Sequence, residues 1–96
     1  MVTSKYADRL RLLKGRRLTF RDSEARAGKL VWRALWCLFT TPDRRVPVGT
    51  WSRAVWGWRR VEANTQHQLA HRINEMLAGV GYPARVAVED GFFLLV

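Results

Sequence analysis

One stretch of the sequence is rich in side chains that donate and accept hydrogen bonds. It reads NTQHQLAHR over residues 64–72 and supplies six candidate contact residues: Asn64, Thr65, His67, Gln68, His71 and Arg72. Asn and Gln can pair with the edge of adenine, and Arg with guanine, in the major groove of duplex DNA. No acidic residue interrupts the run before Asn74. The run therefore favours base readout, with an ordinary solvated helix face as the alternative.

The two histidines also suggest a metal pair or a pH switch, because His67 and His71 are four residues apart and share a helix face. A closed zinc site needs four ligands, and Glu75 is the one carboxylate on that face. The single cysteine, Cys37, lies in the apolar run VWRALWCLF and is expected to be a buried structural thiol. We therefore predict no metal site and no cofactor.

The sequence also lacks the patterns that accompany catalysis. It shows no Ser/His/Asp spacing, no recognisable pair of carboxylates and no glycine-rich phosphate loop. We predict that the protein is not an enzyme and has no catalytic residues.

The charge balance indicates a polyanionic partner. Among 96 residues there are 17 Lys and Arg against eight Asp and Glu, a formal net charge of +9. Duplex DNA is the commonest such partner, because phosphate neutralisation releases condensed counterions, although a membrane surface or an acidic protein would also suit. Five arginines that flank the predicted helices are candidate phosphate contacts: Arg44, Arg45, Arg59, Arg60 and Arg85.

Three helices are predicted around these residues. The first is capped by Asp22 or Ser23, ends near Thr40 and buries a stripe at three- and four-residue spacing: Leu30, Val31, Ala34, Leu35 and Leu38. The second, WSRAVWG, has Thr50 as its N-cap and Gly57 after its last turn, with three residues facing inward: Trp51, Ala54 and Val55. The third is capped by Asn64 or Thr65 and buries four residues: Leu69, Ile73, Met76 and Leu77.

Strands are predicted at both ends of the chain. In RLRLLKGRRLTF, Gly15 can supply the positive φ of a tight turn and thus a β-hairpin, while a helix over residues 6–13 is the alternative. At the other end, ARVAV and FFLLV flank the turn residues Glu89, Asp90 and Gly91, which predicts a second hairpin.

This order of elements predicts an α+β fold of the winged helix-turn-helix type, with three helices, a C-terminal β-hairpin wing and short N-terminal strands. Residues 1–21 form an N-terminal segment, and residues 22–96 form the winged helix domain. The sequence has neither a membrane-spanning apolar stretch nor the apolar region of a signal peptide. We therefore expect a cytoplasmic protein without a membrane partner.

Three segments resemble the effector domains of OmpR/PhoB-type bacterial response regulators. TPDRRVPVGTWSRAVWG is similar to that family's segment leading through its second helix, NTQHQLAHRINEML to its recognition helix, and AVEDGFFLLV to its wing. The resemblance departs from the family at the recognition helix, whose basic residues are reduced to Arg72, and at the wing, which carries Glu89 and Asp90. The 96 residues leave no room for a receiver domain, so the resemblance does not imply regulation by phosphorylation.

The tryptophans are interpreted mainly as packing residues. We expect Trp36, Trp51 and Trp56 to be buried and Trp58, beside two arginines, to be exposed. The resemblance implies that the loop carrying Trp58 makes a protein contact with RNA polymerase.

Two functions remain. The first is sequence-specific binding of double-stranded DNA by a small stand-alone transcriptional regulator, with residues 64–77 in the major groove. On DNA it would bind in tandem or as a weak homodimer through residues 6–20. The alternative is a basic protein-interaction module, of phage or mobile-element type, that binds an acidic protein such as RNA polymerase or a nuclease.

Overall fold

The computed structural model describes residues 10–96, which form six strands and three helices. The strands are β1 Leu10–Leu13, β2 Arg17–Phe20, β3 Ser23–Arg26, β4 Arg45–Pro47, β5 Val86–Glu89 and β6 Phe92–Leu95. The helices are α1 Lys29–Phe39, α2 Val48–Trp56 and α3 Ala63–Gly79.

The N-terminal strands form an antiparallel sheet in the order β1-β2-β3. Leu12 pairs with Leu18 across the first hairpin, and Gly15 takes a φ of 79° in its loop, as the hairpin prediction requires. The alternative helix is therefore wrong for Leu10–Leu13, and residues 6–9 lie outside the described residues. The sheet spans the predicted boundary between residues 21 and 22.

Strand β3 was not predicted, and the proposed caps Asp22 and Ser23 are wrong. Ser23 instead pairs with Phe20 across a two-residue turn, in which Arg21 has a φ of 55°. The backbone hydrogen-bonding groups of this segment pair with those of β2. Helix α1 begins only after Gly28, which has an extended backbone and is the N-cap.

Helix α1 buries most of its predicted stripe and ends where expected. Its buried residues are Val31, Ala34, Leu35 and Leu38, while Leu30 is half-buried. Thr40 caps its end, and the threonine hydroxyl donates to the Trp36 carbonyl at 2.7 Å. The expected burial of Trp36 is wrong, because at about 100° per residue its side chain leaves the helix opposite the buried stripe. Trp36 is 51% exposed.

Helix α2 begins two residues before the predicted cap, so Thr50 lies in its first turn. The reason is the neighbouring strand: Pro47 pairs with Phe92, and the Val48 amide donates to the Gly91 carbonyl at 2.9 Å. Gly57 ends the helix with a φ of 73°.

The apolar residues of α2 divide into a buried centre and an exposed margin. Trp51 and Val55 are buried as predicted. The predicted inward position of Ala54 is wrong, because this residue is exposed at the edge of the buried face of α2. Trp56 is only half-buried and packs edge-on against Trp51, with ring centroids 5.5 Å apart.

Helix α3 begins at Ala63 with Glu62 as its N-cap, so Asn64 and Thr65 lie in the first turn rather than at the cap. Its buried residues are Leu69, Ala70, Ile73 and Leu77, and Met76 is half-buried. Asn74 joins the helix to β5 through two hydrogen bonds to Val86. The Asn74 amide donates to the Val86 carbonyl at 2.9 Å, and the Val86 amide donates to Asn74 Oδ1 at 2.7 Å.

The C-terminal hairpin is present as predicted and belongs to a second antiparallel sheet with the order β4-β6-β5. Its loop is one residue shorter than expected, because Glu89 still pairs with Phe92. Asp90 and Gly91 form the turn with φ values of 51° and 80°, and two positive φ angles are what a type I′ turn requires.

One core joins both sheets and the three helices. Five residues that the helical spacing predicted to face inward are buried in it: Leu35, Leu38, Val55, Leu69 and Ile73. Phe93 of the C-terminal hairpin is buried with them. The predicted α+β class is confirmed. Within the described residues, no helix is long and apolar enough to cross a membrane.

Candidate nucleic-acid interface

Helix α3 presents one polar face to solvent. All six residues predicted for readout are exposed: Asn64, Thr65, His67, Gln68, His71 and Arg72. At about 100° per residue, Asn64, Gln68 and His71 project within a narrow arc, and Ile73 projects to the opposite side. Since Ile73 is fully buried in the core, packing holds that arc outward.

The same face carries one carboxylate that interacts with a histidine. Glu75 Oε2 lies 3.6 Å from His71 Nε2, and both side chains are largely exposed. The contact is an ion pair only when His71 is protonated, and a pair this exposed contributes little to stability. No group of three or more His, Cys, Asp or Glu within residues 10–96 is arranged to hold a metal ion.

The loop between α2 and α3 forms a basic concavity at the N-terminal end of α3. Its volume is about 280 Å³, and it is lined by residues that include Arg53, Trp58, Arg59, Arg60 and Gln66. Both predicted loop arginines are therefore brought together, and both are exposed. Trp58 is 86% exposed, as the sequence predicts.

Arg53 belongs to this cluster but was missed by the sequence analysis. Its guanidinium carbon lies 4.6 Å from the centroid of the Trp58 ring, a cation–π arrangement that holds the indole beside the basic loop. The available signal was the position of Arg53 in the last turn of α2, where a cation is favoured by the helix dipole.

The other three predicted phosphate contacts lie apart from this concavity. Arg45 is exposed on β4, with its guanidinium 3.9 Å from the centre of the Phe92 ring. Arg44 is half-buried, and its Nη1 donates to the Thr41 carbonyl at 2.7 Å. Arg85 is exposed at the base of the hairpin, where its backbone pairs with Val96.

The tip of the hairpin has the opposite charge. Glu89 and Asp90 are both exposed at the turn, on the far side of the hairpin from Arg85. The carboxylates of these residues repel phosphate oxygens, because both groups are negatively charged. The tip is therefore unsuited to close contact with a nucleic-acid backbone.

The one cysteine does not supply a reactive group. Cys37 is half-buried on α1, and desolvation raises the pKa of its thiol. Because the thiolate is the nucleophile, this environment disfavours the reactive form of the group.

Comparisons with known proteins identify the architecture. No family model matches the sequence, and no curated protein sequence matches it. Among solved structures, the chain is similar to the C-terminal domain of the nisin resistance regulator NsrR, a lantibiotic response regulator, with a TM-score of 0.71. The alignment covers 90% of each chain at 17% sequence identity. The chain therefore has a winged-helix fold like that of this domain. In the winged helix, α2 and α3 are the helix-turn-helix and the β5–β6 hairpin is the wing, so the predicted resemblance is confirmed at the level of fold.

Proposed function

We propose that this winged helix binds duplex DNA sequence-specifically, as a small stand-alone transcriptional regulator with α3 in the major groove. The observation that supports the proposal most strongly is the polar arc of α3, in which Asn64, Gln68 and His71 project opposite the buried Ile73. A major groove admits one helix and presents base edges that such side chains can read.

The spacing of the arc suits contact with base pairs about two steps apart. Asn64 and Gln68 are one helical turn apart, about 6 Å along the axis, which corresponds to roughly two base-pair steps. Either amide can pair bidentately with adenine, and Arg72, one further turn along, can pair with guanine. Thr65 and His67 lie on the two flanks of the arc, where they would contact neighbouring bases or sugars.

Phosphate contacts are proposed for the arginines around the helix. Arg59 and Arg60 are best placed, because their loop leads directly into the N-terminus of α3 and their side chains are exposed. Arg45 and Arg85 extend the positive surface towards the wing sheet. Arg44 would first have to give up its hydrogen bond to the Thr41 carbonyl.

The acidic wing tip would make this mode of binding depend on the helix and the basic loop. Glu89 and Asp90 oppose phosphate contact at the tip, so the wing would add little affinity there. Tandem binding or a weak homodimer through residues 6–20 would then supply the affinity that one helix cannot.

The exposed Trp58 is proposed as a protein contact, with RNA polymerase as the partner that the effector-domain resemblance suggests. Arg53 fixes the indole from one side, which reduces the entropy lost when a partner covers it. Such a regulator would work in the cytoplasm of a bacterium or on behalf of a phage.

Selection of bound duplexes from a random pool tests this proposal. We expect a preferred sequence whose affinity exceeds that for random duplex by about a thousandfold or more, with a steep loss of affinity as salt increases. Recovery of no preferred sequence, with negligible duplex affinity at moderate salt, would favour the alternative of a basic module that binds an acidic protein.

A further inference from the structure

An apolar groove lies between the β1–β2 hairpin and α1. It has a volume of about 510 Å³, and its apolar lining includes Leu12, Trp32 and Trp36. The two indoles lie one helical turn apart, with ring centroids separated by 6.0 Å and planes inclined by 31°. Trp36 remains 51% exposed, so this large side chain is available to a partner.

The rim of the groove is cationic. Lys14 and Arg16 belong to the β1–β2 loop on one side. Arg33 lies on α1 on the other side, where its Nη1 donates to the Val55 carbonyl at 3.2 Å and its remaining N–H groups can serve a ligand. Within residues 10–96, no acidic residue lines the groove. An apolar lining with a positive rim is complementary to a ligand that carries both an apolar side chain and carboxylates.

We propose that this groove binds an acidic peptide segment of a partner protein. The segment inserts a Phe or Leu side chain against Trp36 and Leu12, while its Asp and Glu carboxylates pair with Lys14, Arg16 and Arg33. Burial of an aromatic anchor at the centre of a contact supplies most of the affinity in such interfaces, and the surrounding charges supply orientation and specificity.

The chemistry of the groove favours this occupant over two others. A nucleobase inserted into the groove would bury its polar edges, to which the leucine and indole lining offers mainly apolar surface. A second copy of this chain would bring another net charge of +9 towards the same cationic rim. An acidic peptide satisfies both the apolar lining and the rim.

The groove is separate from the surface proposed to bind DNA. None of its lining residues belongs to α3 or to the loop between α2 and α3. Peptide binding and DNA binding can therefore be abolished independently, and this inference does not depend on the proposed function.

The probe is a short fluorescein-labelled synthetic peptide of Asp and Glu with Phe and Leu at every third or fourth position. The control peptide has the same charges with Ser in place of Phe and Leu. Fluorescence anisotropy at physiological ionic strength should show that the control peptide binds at least about tenfold more weakly. Equal binding of the two peptides would mean general charge attraction and would overturn the proposal.

Variants locate the site. Trp36→Ala removes a half-exposed side chain, and Lys14→Glu reverses a charge in an exposed loop, so both should retain the wild-type circular dichroism spectrum. Each should weaken peptide binding by about tenfold or more, while the matched changes Trp58→Ala and Arg60→Glu should alter it less than twofold. The proposal is overturned if Trp58→Ala or Arg60→Glu abolishes binding instead.

Two further outcomes would identify a different occupant. Sedimentation without peptide could reveal a dimer that Trp36→Ala dissociates, which would assign the groove to a second copy of the chain. A single-stranded oligonucleotide could displace the peptide from wild type and fail to bind Trp36→Ala, which would assign it to nucleic acid. Either result would contradict the proposal. The proposal is supported if the protein is a monomer and Trp36→Ala loses binding only to the acidic peptide that contains Phe and Leu.

Discussion

The indole of Trp51 stacks on the ring of Phe93, with centroids 4.1 Å apart and planes inclined by 11°. Trp51 lies at the centre of α2 and Phe93 on the inner strand of the wing sheet, and both are fully buried. This stack joins the helix-turn-helix to the wing, so the orientation of the wing depends on it.

We expect Trp51→Ala and Phe93→Ala each to lower the free energy of unfolding by about 3–5 kcal/mol, because each leaves a large cavity in the core. Thermal and urea denaturation measure this change. Trp58→Ala is the matched control, and its exposed indole predicts a change within about 0.5 kcal/mol. Similar effects at Trp51 and Trp58 would contradict the packing described.

Asn74→Ala should destabilise the protein by about 1–3 kcal/mol, because it removes both hydrogen bonds to Val86 and leaves backbone groups without their partner. Hydrogen exchange should show faster exchange of the Val86 amide. Asn64→Ala serves as the control, since Asn64 is exposed on the same helix, and it should leave stability within about 0.5 kcal/mol of wild type. Unchanged protection of Val86 in Asn74→Ala would show that this link is unimportant.

If the protein binds duplex DNA as proposed and the wing tip approaches the backbone, the acidic tip should weaken that binding. The double change Glu89→Gln and Asp90→Asn keeps side-chain size, and Asn tolerates the positive φ at residue 90. We expect affinity for preferred and random duplexes to rise together by about 0.2–1 kcal/mol at low salt, the range of exposed charge interactions. A gain that persists at high salt, where exposed charges are screened, would be inconsistent with this electrostatic explanation.

Local periodicity was sufficient to predict the helices and nearly all of the core residues that the helices contribute, but not the core residues of the strands. Residues such as Leu35, Leu38, Leu69 and Ile73 recur at helical spacing, and this spacing determines which face packs inward. The hairpin turn was predicted at Asp90 and Gly91, which both tolerate the positive φ that a type I′ turn requires, but Glu89 was wrongly included in it.

The errors arose where local sequence allows two outcomes and tertiary pairing decides between them. Ser23 is a good helix cap and an adequate strand residue, and pairing with β2 selected the strand. Thr50 had the chemistry of a cap, but pairing of Pro47 with Phe92 placed the start of α2 earlier. Trp36 was judged by its hydrophobicity, whereas its angular position on α1 leaves it exposed.

Parts of the candidate interface could not be predicted for the same reason. The sequence identifies Arg59 and Arg60 as basic residues before a helix, but the contact of Arg53 with Trp58 depends on how the chain turns after Gly57. Likewise, the inward position of Arg44 depends on the turn that brings it to the Thr41 carbonyl.

The central claim, that the polar arc of α3 reads bases, is tested most directly by comparing Gln68→Ala with Arg60→Ala on the preferred duplex and on random duplex. Gln68→Ala should cost about 1–3 kcal/mol on the preferred duplex and leave random binding nearly unchanged, because base-edge hydrogen bonds carry discrimination. Arg60→Ala should weaken both duplexes alike and reduce the salt slope by about one, because a phosphate contact releases a counterion whatever the sequence. Equal weakening of both duplexes by Gln68→Ala would show that α3 is only a charged surface and would contradict the account.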